Sequence, residues 1–279
     1  MRAGYNDCQV ARHLGLPRTT VRDWRRWEPS PTDEICPRCW RASRKPIRFS
    51  PADYAELLGL YLGDGHIVKT GRSDRLRLFL DTRYTGINTE ARELLQRCFP
   101  EHSVGMFRTG KGTTTIISLY CTHLACLFPQ HAPGRKHKRT IALEGWQTSI
   151  VKSEPWRFLR GLIRSDGCAF VNRTGPYEYL SYEFSNRSSD IRELFMHACD
   201  RVNVEYRAYR RYVRIYRRES VALMQKHVGI KAWTAATLAR TRLWRNQAYA
   251  RSSGGRGLTP VEVRILSAAW ESPAPAGFS

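Results

Sequence analysis

Two apolar runs of this chain follow helical spacing and end alike. Leu57-Leu58-Gly59-Leu60-Tyr61-Leu62-Gly63-Asp64-Gly65 and Leu159-Arg160-Gly161-Leu162-Ile163-Arg164-Ser165-Asp166-Gly167 both close on an Asp-Gly pair. In each run small residues lie four apart, Gly59 with Gly63 and Gly161 with Ser165. Such residues share one helix face and let two backbones approach closely. The pattern therefore predicts two helices packed on each other along their small residues. Ser50-Pro51-Ala52-Asp53 starts the first with a capping-box arrangement and Pro at the first helical position, and Ser153 and Pro155 are expected to do the same for the second.

After each Asp-Gly the spacing changes to strand, then an amphipathic helix, more strand and a closing helix, so the cycle occurs twice. In the first cycle Arg75-Leu76-Arg77-Leu78-Phe79-Leu80 alternates basic and apolar positions, which sends the leucines to a core and the arginines outward. In the second, Arg207, Arg210, Arg211, Arg214, Arg217 and Arg218 interleave with Tyr209, Tyr212 and Tyr216, so each sheet is expected to show a basic face. Arg92-Glu93-Leu94-Leu95 is matched by Arg192-Glu193-Leu194-Phe195 at the corresponding place of the second cycle, which points to duplication.

Ahead of the repeat, Asp7 to Arg26 reads as helix, turn and helix. Val10, Ala11, Leu14, Leu16, Val21 and Trp24 stand at buried spacings, and Gly15 permits a positive φ at the turn. Arg18, Thr19, Thr20, Arg22 and Arg25 then lie on the outward face of the second helix, placed to reach phosphates and base edges of duplex DNA, although protein-binding helical modules share this pattern. A Pro-rich segment (Pro29, Pro31, Pro37, Pro46) follows and holds Cys36-Pro37-Arg38-Cys39. This spacing suits half of a Zn²⁺ knuckle, a free dithiol or a simple turn. Cys121, Cys126 and His131 are remote candidates for the missing ligands. The expected division is residues 1–28 as a helix-turn-helix DNA-binding module, 29–49 as linker, 50–150 and 151–232 as the two halves of the repeat, and 233–279 as a C-terminal helix and flexible tail.

Composition narrows the class. At 279 residues and 42% hydrophobic content the chain can bury a core of its own. Its 46 Lys and Arg against 25 Asp and Glu leave a formal charge of +21, which calls for a polyanionic partner. Membrane is the weaker choice, because no apolar stretch approaches 18 residues in length. With Arg2, Asn6, Asp7 and Arg12 near the N-terminus and eight scattered Cys, a cytoplasmic protein with reduced thiols is expected.

The candidate chemistry follows from the paired helices. Packing them brings Asp64 and Asp166 together at two helix C-termini, where mutual repulsion and the negative end of each dipole disfavour the ionised forms. Carboxylates that repel each other yet accept a divalent cation suit Mg²⁺ (or Mn²⁺) and phosphodiester cleavage.

These nonamers resemble the signature of LAGLIDADG homing endonucleases. Over roughly Pro51 to Lys231 the resemblance implies an α+β fold: two αββαββα halves in one chain, a monomer acting as a pseudo-dimer, with antiparallel sheets forming a saddle over double-stranded DNA. It implies that Asp64 and Asp166 each hold a metal ion, helped by backbone carbonyls near Gly63 and Ser165. Sheet arginines, here Arg75, Arg77, Arg207, Arg210, Arg211 and Arg214, would sit in the major groove. A lysine near the end of the second hairpin or in the segment after it is typical, and Lys136, Lys138 and Lys231 are candidates, with Lys136 and Lys231 ranked first, either to position water or simply to bind phosphate; His66 could also line the pocket. Leu62 and Arg164 at the sixth motif position make the halves unequal. The implied function is site-specific double-strand cleavage to staggered ends. A non-cleaving transcriptional regulator on the same fold, or an intron RNA maturase, is the alternative.

Overall fold

A computed structural model describes residues 5–26, 34–35, 42–43, 49–71, 73–110, 112–174 and 176–231. At the N-terminus α1 (Asp7–Leu14) and α2 (Arg18–Arg26) flank a short turn. Asn6 and Gln9 form a reciprocal capping box at the start of α1, and Gly15 ends it at φ 62°, a left-handed position that suits glycine. Ala11 and Val21 are buried as expected, whereas Leu14, at the last position of α1, is 51% exposed. Within the Pro-rich segment β1 (Glu34–Ile35) pairs antiparallel with β2 (Ala42–Ser43). Cys36 and Cys39 lie outside the described residues, and so does everything after Lys231.

The repeat is realised twice. The first half runs α3 (Pro51–Asp64), β3 (Gly65–Thr70), β4 (Ser73–Asp81), α4 (Thr85–Cys98), β5 (Gly105–Arg108), β6 (Thr114–Cys121) and a single-turn α5 (Leu124–Leu127). A 3-10 turn at Lys136–Lys138 and α6 (Gly145–Ser153) then lead to the second half. That half runs α7 (Pro155–Asp166), β7 (Gly167–Thr174), β8 (Tyr177–Ser185), α8 (Ser189–Arg201), β9 (Arg207–Ala208), β10 (Tyr212–Ile215) and α9 (Arg218–His227). The sheets have matching orders, β3-β4-β6-β5 and β7-β8-β10-β9, with antiparallel neighbours throughout. This is the duplicated αββαββα arrangement that the motif resemblance implied.

Ser50 caps α3 by accepting from the backbone N–H of Asp53 at 3.0 Å, with Pro51 behind it. The second start differs from expectation. Ser153 ends α6, where its hydroxyl donates to the carbonyl of Ile150, and the residue before Pro155 is Glu154, whose side chain makes no capping bond. A helix already occupying Gly145–Ser153 takes the serine that the pattern assigned to the next one. The core joins the two halves: Leu57, Leu58 and Leu60 of α3, Phe158, Leu159 and Leu162 of α7, and the inward faces of both sheets are buried in one cluster. Among the described residues no helix is long and apolar enough to cross a membrane.

Candidate active site

The seam between α3 and α7 has no room for side chains at its glycines. A Cβ on Gly59 would stand 2.6 Å from the carbonyl oxygen of Phe158 and 2.9 Å from the Cα of Gly161. One on Gly161 would stand 2.9 Å from the backbone nitrogen of Leu60, and one on Gly63 2.5 Å from the Cβ of Ser165. The predicted small-residue face is thus the contact itself. Gly65 and Gly167 matter for a different reason. Both are extended (φ −85° and −102°), so neither is a left-handed cap, but a Cβ would meet the preceding turn at Tyr61 or Ile163 within 2.6 Å. Glycine therefore lets each helix pass straight into its first strand, and that sharp exit leaves the aspartate before it at the edge of the seam.

Asp64 and Asp166 meet there. Burial and the neighbouring Asp166 push the Asp64 carboxyl up to about 7, with Lys231 and Lys136 opposing the shift. Asp166 is also raised by burial, opposed first by the side-chain amide of Asn186, which donates to its Oδ2 at 2.6 Å. The Asn186 Oδ1 accepts from the backbone N–H of Ser188 at 2.8 Å, so the amide is held from both ends. Sequence patterning does not single out Asn186, because its relation to Asp166 is made by strand β8 returning alongside β7.

Two lysines occupy matching positions. The Lys136 ammonium donates to the carbonyl oxygens of Tyr61, Leu62 (3.0 Å) and Gly63 (3.3 Å), the last turn of α3. That of Lys231 donates to the carbonyl of Ser165, in the last turn of α7, at 2.5 Å. Both satisfy the negative ends of helix dipoles. Each also lies over a tyrosine ring, Lys136 over Tyr61 at 4.7 Å and Lys231 over Tyr84 at 5.1 Å. Burial lowers Lys136 to about 8, against the pull of Asp166 and Asp64, and Lys231 is lowered for the same reason. Lys138 is exposed, and so is His66 beside Arg77 on the next strand, where partial loss of solvent around the ring and then the Lys136 charge lower its pKa.

The motif resemblance implies a divalent cation here, and the donor set fits one. Asp64, Asp166 and the carbonyls of Gly63 and Ser165 are hard oxygen donors, and the repulsion that raises Asp64 is what a cation relieves. Among the described residues no group of three or more His, Cys, Asp or Glu is arranged to hold a metal. A pair of carboxylates suits Mg²⁺, which keeps several waters and leans on substrate phosphates. The two carbonyls expected as ligands already accept from lysine ammoniums.

The arginines divide unequally. On β4, Leu76, Leu78 and Leu80 are buried and Arg75 and Arg77 face the other way, as the alternation predicts. Arg75 donates to the Ser118 hydroxyl at 2.9 Å and lies over Phe107 and Tyr120 at 5.6 and 5.1 Å. The second sheet departs from expectation. The stretch from Arg207 to Arg218 is not one strand: it turns at Tyr209 to Arg211, so Arg210 and Arg211 are exposed in a hairpin loop, and Arg217 and Arg218 lead into α9. Arg207 is exposed opposite Arg214, whose guanidinium is paired with Glu183 at 2.6 Å. In α2, Arg18, Thr19 and Arg22 are exposed and Thr20 is half-buried; the Arg25 side chain lies outside the described residues.

No family model and no curated protein matches the chain. Among solved structures its backbone is similar to that of the N-terminal LAGLIDADG domain of DUF199/WhiA, at 15% identity over 66% of this chain and 86% of that one, with a TM-score of 0.42. It is also similar to I-DmoI, solved in complex with DNA and Mn, at 13% identity over 64% of this chain and 97% of that one, with a TM-score of 0.46. The LAGLIDADG meganuclease I-AabMI, solved bound to uncleaved DNA, gives 13% identity over 80% and 99% of the two chains, with a TM-score of 0.46.

Proposed function

We propose that this protein is a divalent-metal-dependent endonuclease of the LAGLIDADG type that cuts both strands of a specific DNA site. The observation that carries the reading is the meeting of Asp64 and Asp166 at the end of a seam whose glycines leave no room for a side chain, with Lys136 and Lys231 beside them. Asp64 and Asp166 would hold the cation, and the Gly63 and Ser165 carbonyls, which already accept from Lys136 and Lys231, would join them only by giving up or sharing those bonds. Bound there, a divalent ion supplies Lewis-acid polarisation of a phosphate and a more acidic water.

The chain's own residues supply the rest. Each lysine holds a positive charge beside the site where phosphoryl charge builds up, and a Lys136 that titrates near 8 gains or loses a proton close to neutral pH. Asn186 keeps the Asp166 carboxylate oriented through its short hydrogen bond. Arg75 and Arg77 on the first sheet, and Arg207 with the loop residues Arg210 and Arg211 on the second, carry the phosphate and base contacts. The α1–α2 unit, with Arg18, Thr19 and Arg22 exposed, adds a second contact to DNA.

The test uses a plasmid carrying the uninterrupted form of the locus that the gene itself occupies. With Mg²⁺ the protein should linearise it and leave staggered ends. Asp64→Asn and Asp166→Asn should each abolish double-strand cleavage while duplex binding persists, since both keep the side chain's shape. Binding with no cleavage in either Mg²⁺ or Mn²⁺ would replace this reading by that of a non-cleaving DNA-binding regulator.

A further inference from the structure

A second charged constellation sits at the middle of the α3–α7 contact, away from the aspartates. Glu56 of α3 has a side chain only 5% exposed and is met by three arginines of α7. Arg157 Nη2 lies 2.9 Å from its Oε2, and Arg160 Nε and Arg164 Nη1 lie 3.2 and 3.5 Å from its Oε1. Glu90 of α4 pairs with Arg160 at 3.1 Å and also with Arg164, and Asp53 pairs with Arg157 at 3.2 Å. The acids all come from the first half of the chain, and the α7 bases from the second.

Clusters of this kind add little stability, because the cost of desolvating the charges roughly cancels their attraction. We propose that the Glu56 cluster is a pairing key, which makes the two halves of one chain select each other over the same half of a second copy.

The glycine seam cannot make that choice, since both helices carry small residues at equivalent places. The alignment that sets Leu57 against Leu159 puts Ala55, Leu58 and Leu62 where Arg157, Arg160 and Arg164 stand. An α3–α3 contact between two copies would therefore bury two glutamates with no cation. The same alignment puts Phe158 in place of Glu56, so an α7–α7 contact would crowd arginines with no acid. Only the mixed pair satisfies every charge, and selectivity arises from what the wrong pairs lack. This inference rests on packing alone and does not depend on nuclease activity.

Two full-length variants test it by sedimentation and thermal melting. One carries Glu56→Arg and Glu90→Arg; the other carries Arg160→Glu and Arg164→Glu, so that each swapped group meets its opposite charge while Arg157 keeps Asp53. The wild type should be a monomer, and each variant alone should melt lower by about 10 °C. Refolded together, the two should form an exchanged heterodimer with the melting temperature restored, and all four changes placed in one chain should restore a monomer. A third variant guards against a fold that fails for other reasons: Glu56→Leu with Arg160→Leu and Arg164→Leu keeps the interface apolar, and should fold yet self-associate with rising concentration. A charge-swapped mixture that restores nothing, or an apolar variant that stays monomeric across the same range as the wild type, would overturn the proposal.

Discussion

Asp64 shows how burial sets the behaviour of a single carboxyl. Held near 7 by burial and by Asp166, it keeps its proton in the folded protein at pH values where the unfolded chain, with an ordinary carboxyl at 3.8, has released it. The folded state thus binds more protons between those limits, so the metal-free protein should lose stability as pH rises from about 4 to 7, by roughly 3–4 kcal/mol if Asp64 acted alone. Calorimetry of the metal-free protein across that range checks the sign, and Asp64→Asn should flatten the profile. Arg75 supports a different prediction. Held by Ser118 between two aromatic faces, its guanidinium loses little freedom on meeting a base. Arg75→Ala should relax discrimination at one base pair of the target by about 1–3 kcal/mol in binding to a panel of single-substitution duplexes, while leaving the other positions unchanged.

Elements were legible in the sequence where the information is local. The twin helices could be read from residues a turn apart, and the β4 alternation from residues two apart, so both appear as expected. Ser153 misled because the pattern shows a cap but not which of two abutting helices owns it. The Arg207 to Arg218 run misled because its turn, Tyr209-Arg210-Arg211, contains none of the glycine, proline or asparagine that usually marks one. Asn186 and the Glu56 cluster could not be seen at all, since both are made by chain segments brought together only in the fold. The seam itself yields a prediction with its own control. Gly59→Ala and Gly161→Ala place a methyl against backbone that cannot move aside, and each should cost about 2 kcal/mol or more in chemical denaturation. Gly86, in the first turn of α4, has nothing within 4 Å of its missing Cβ and no positive φ, so Gly86→Ala should stabilise by about 0.5–1 kcal/mol.

At the scale of the whole molecule, a formal charge of +21 and a duplicated core bring arginines of one sheet, arginines of the hairpin loop of the other and a helical N-terminal unit onto one chain. Affinity for duplex DNA should then fall steeply and linearly with the logarithm of salt concentration, and removing Arg210 and Arg211 together should lower that slope by about 2, as for two lost phosphate contacts. The fold's outline and the contact between its twin helices were readable because duplication repeats every signal; the charge cluster around Glu56 was not, because its acids and the α7 arginines come from different halves of the chain. Everything functional converges on whether Asp64 and Asp166 together bind a divalent ion beside DNA. Titration of Mn²⁺, followed by electron paramagnetic resonance with the target duplex present, measures this directly. The wild-type complex should take up Mn²⁺, and the Asp64→Asn/Asp166→Asn protein, still folded and still bound to DNA, should take up none above the duplex alone. Undiminished Mn²⁺ uptake by that double variant would contradict the assignment.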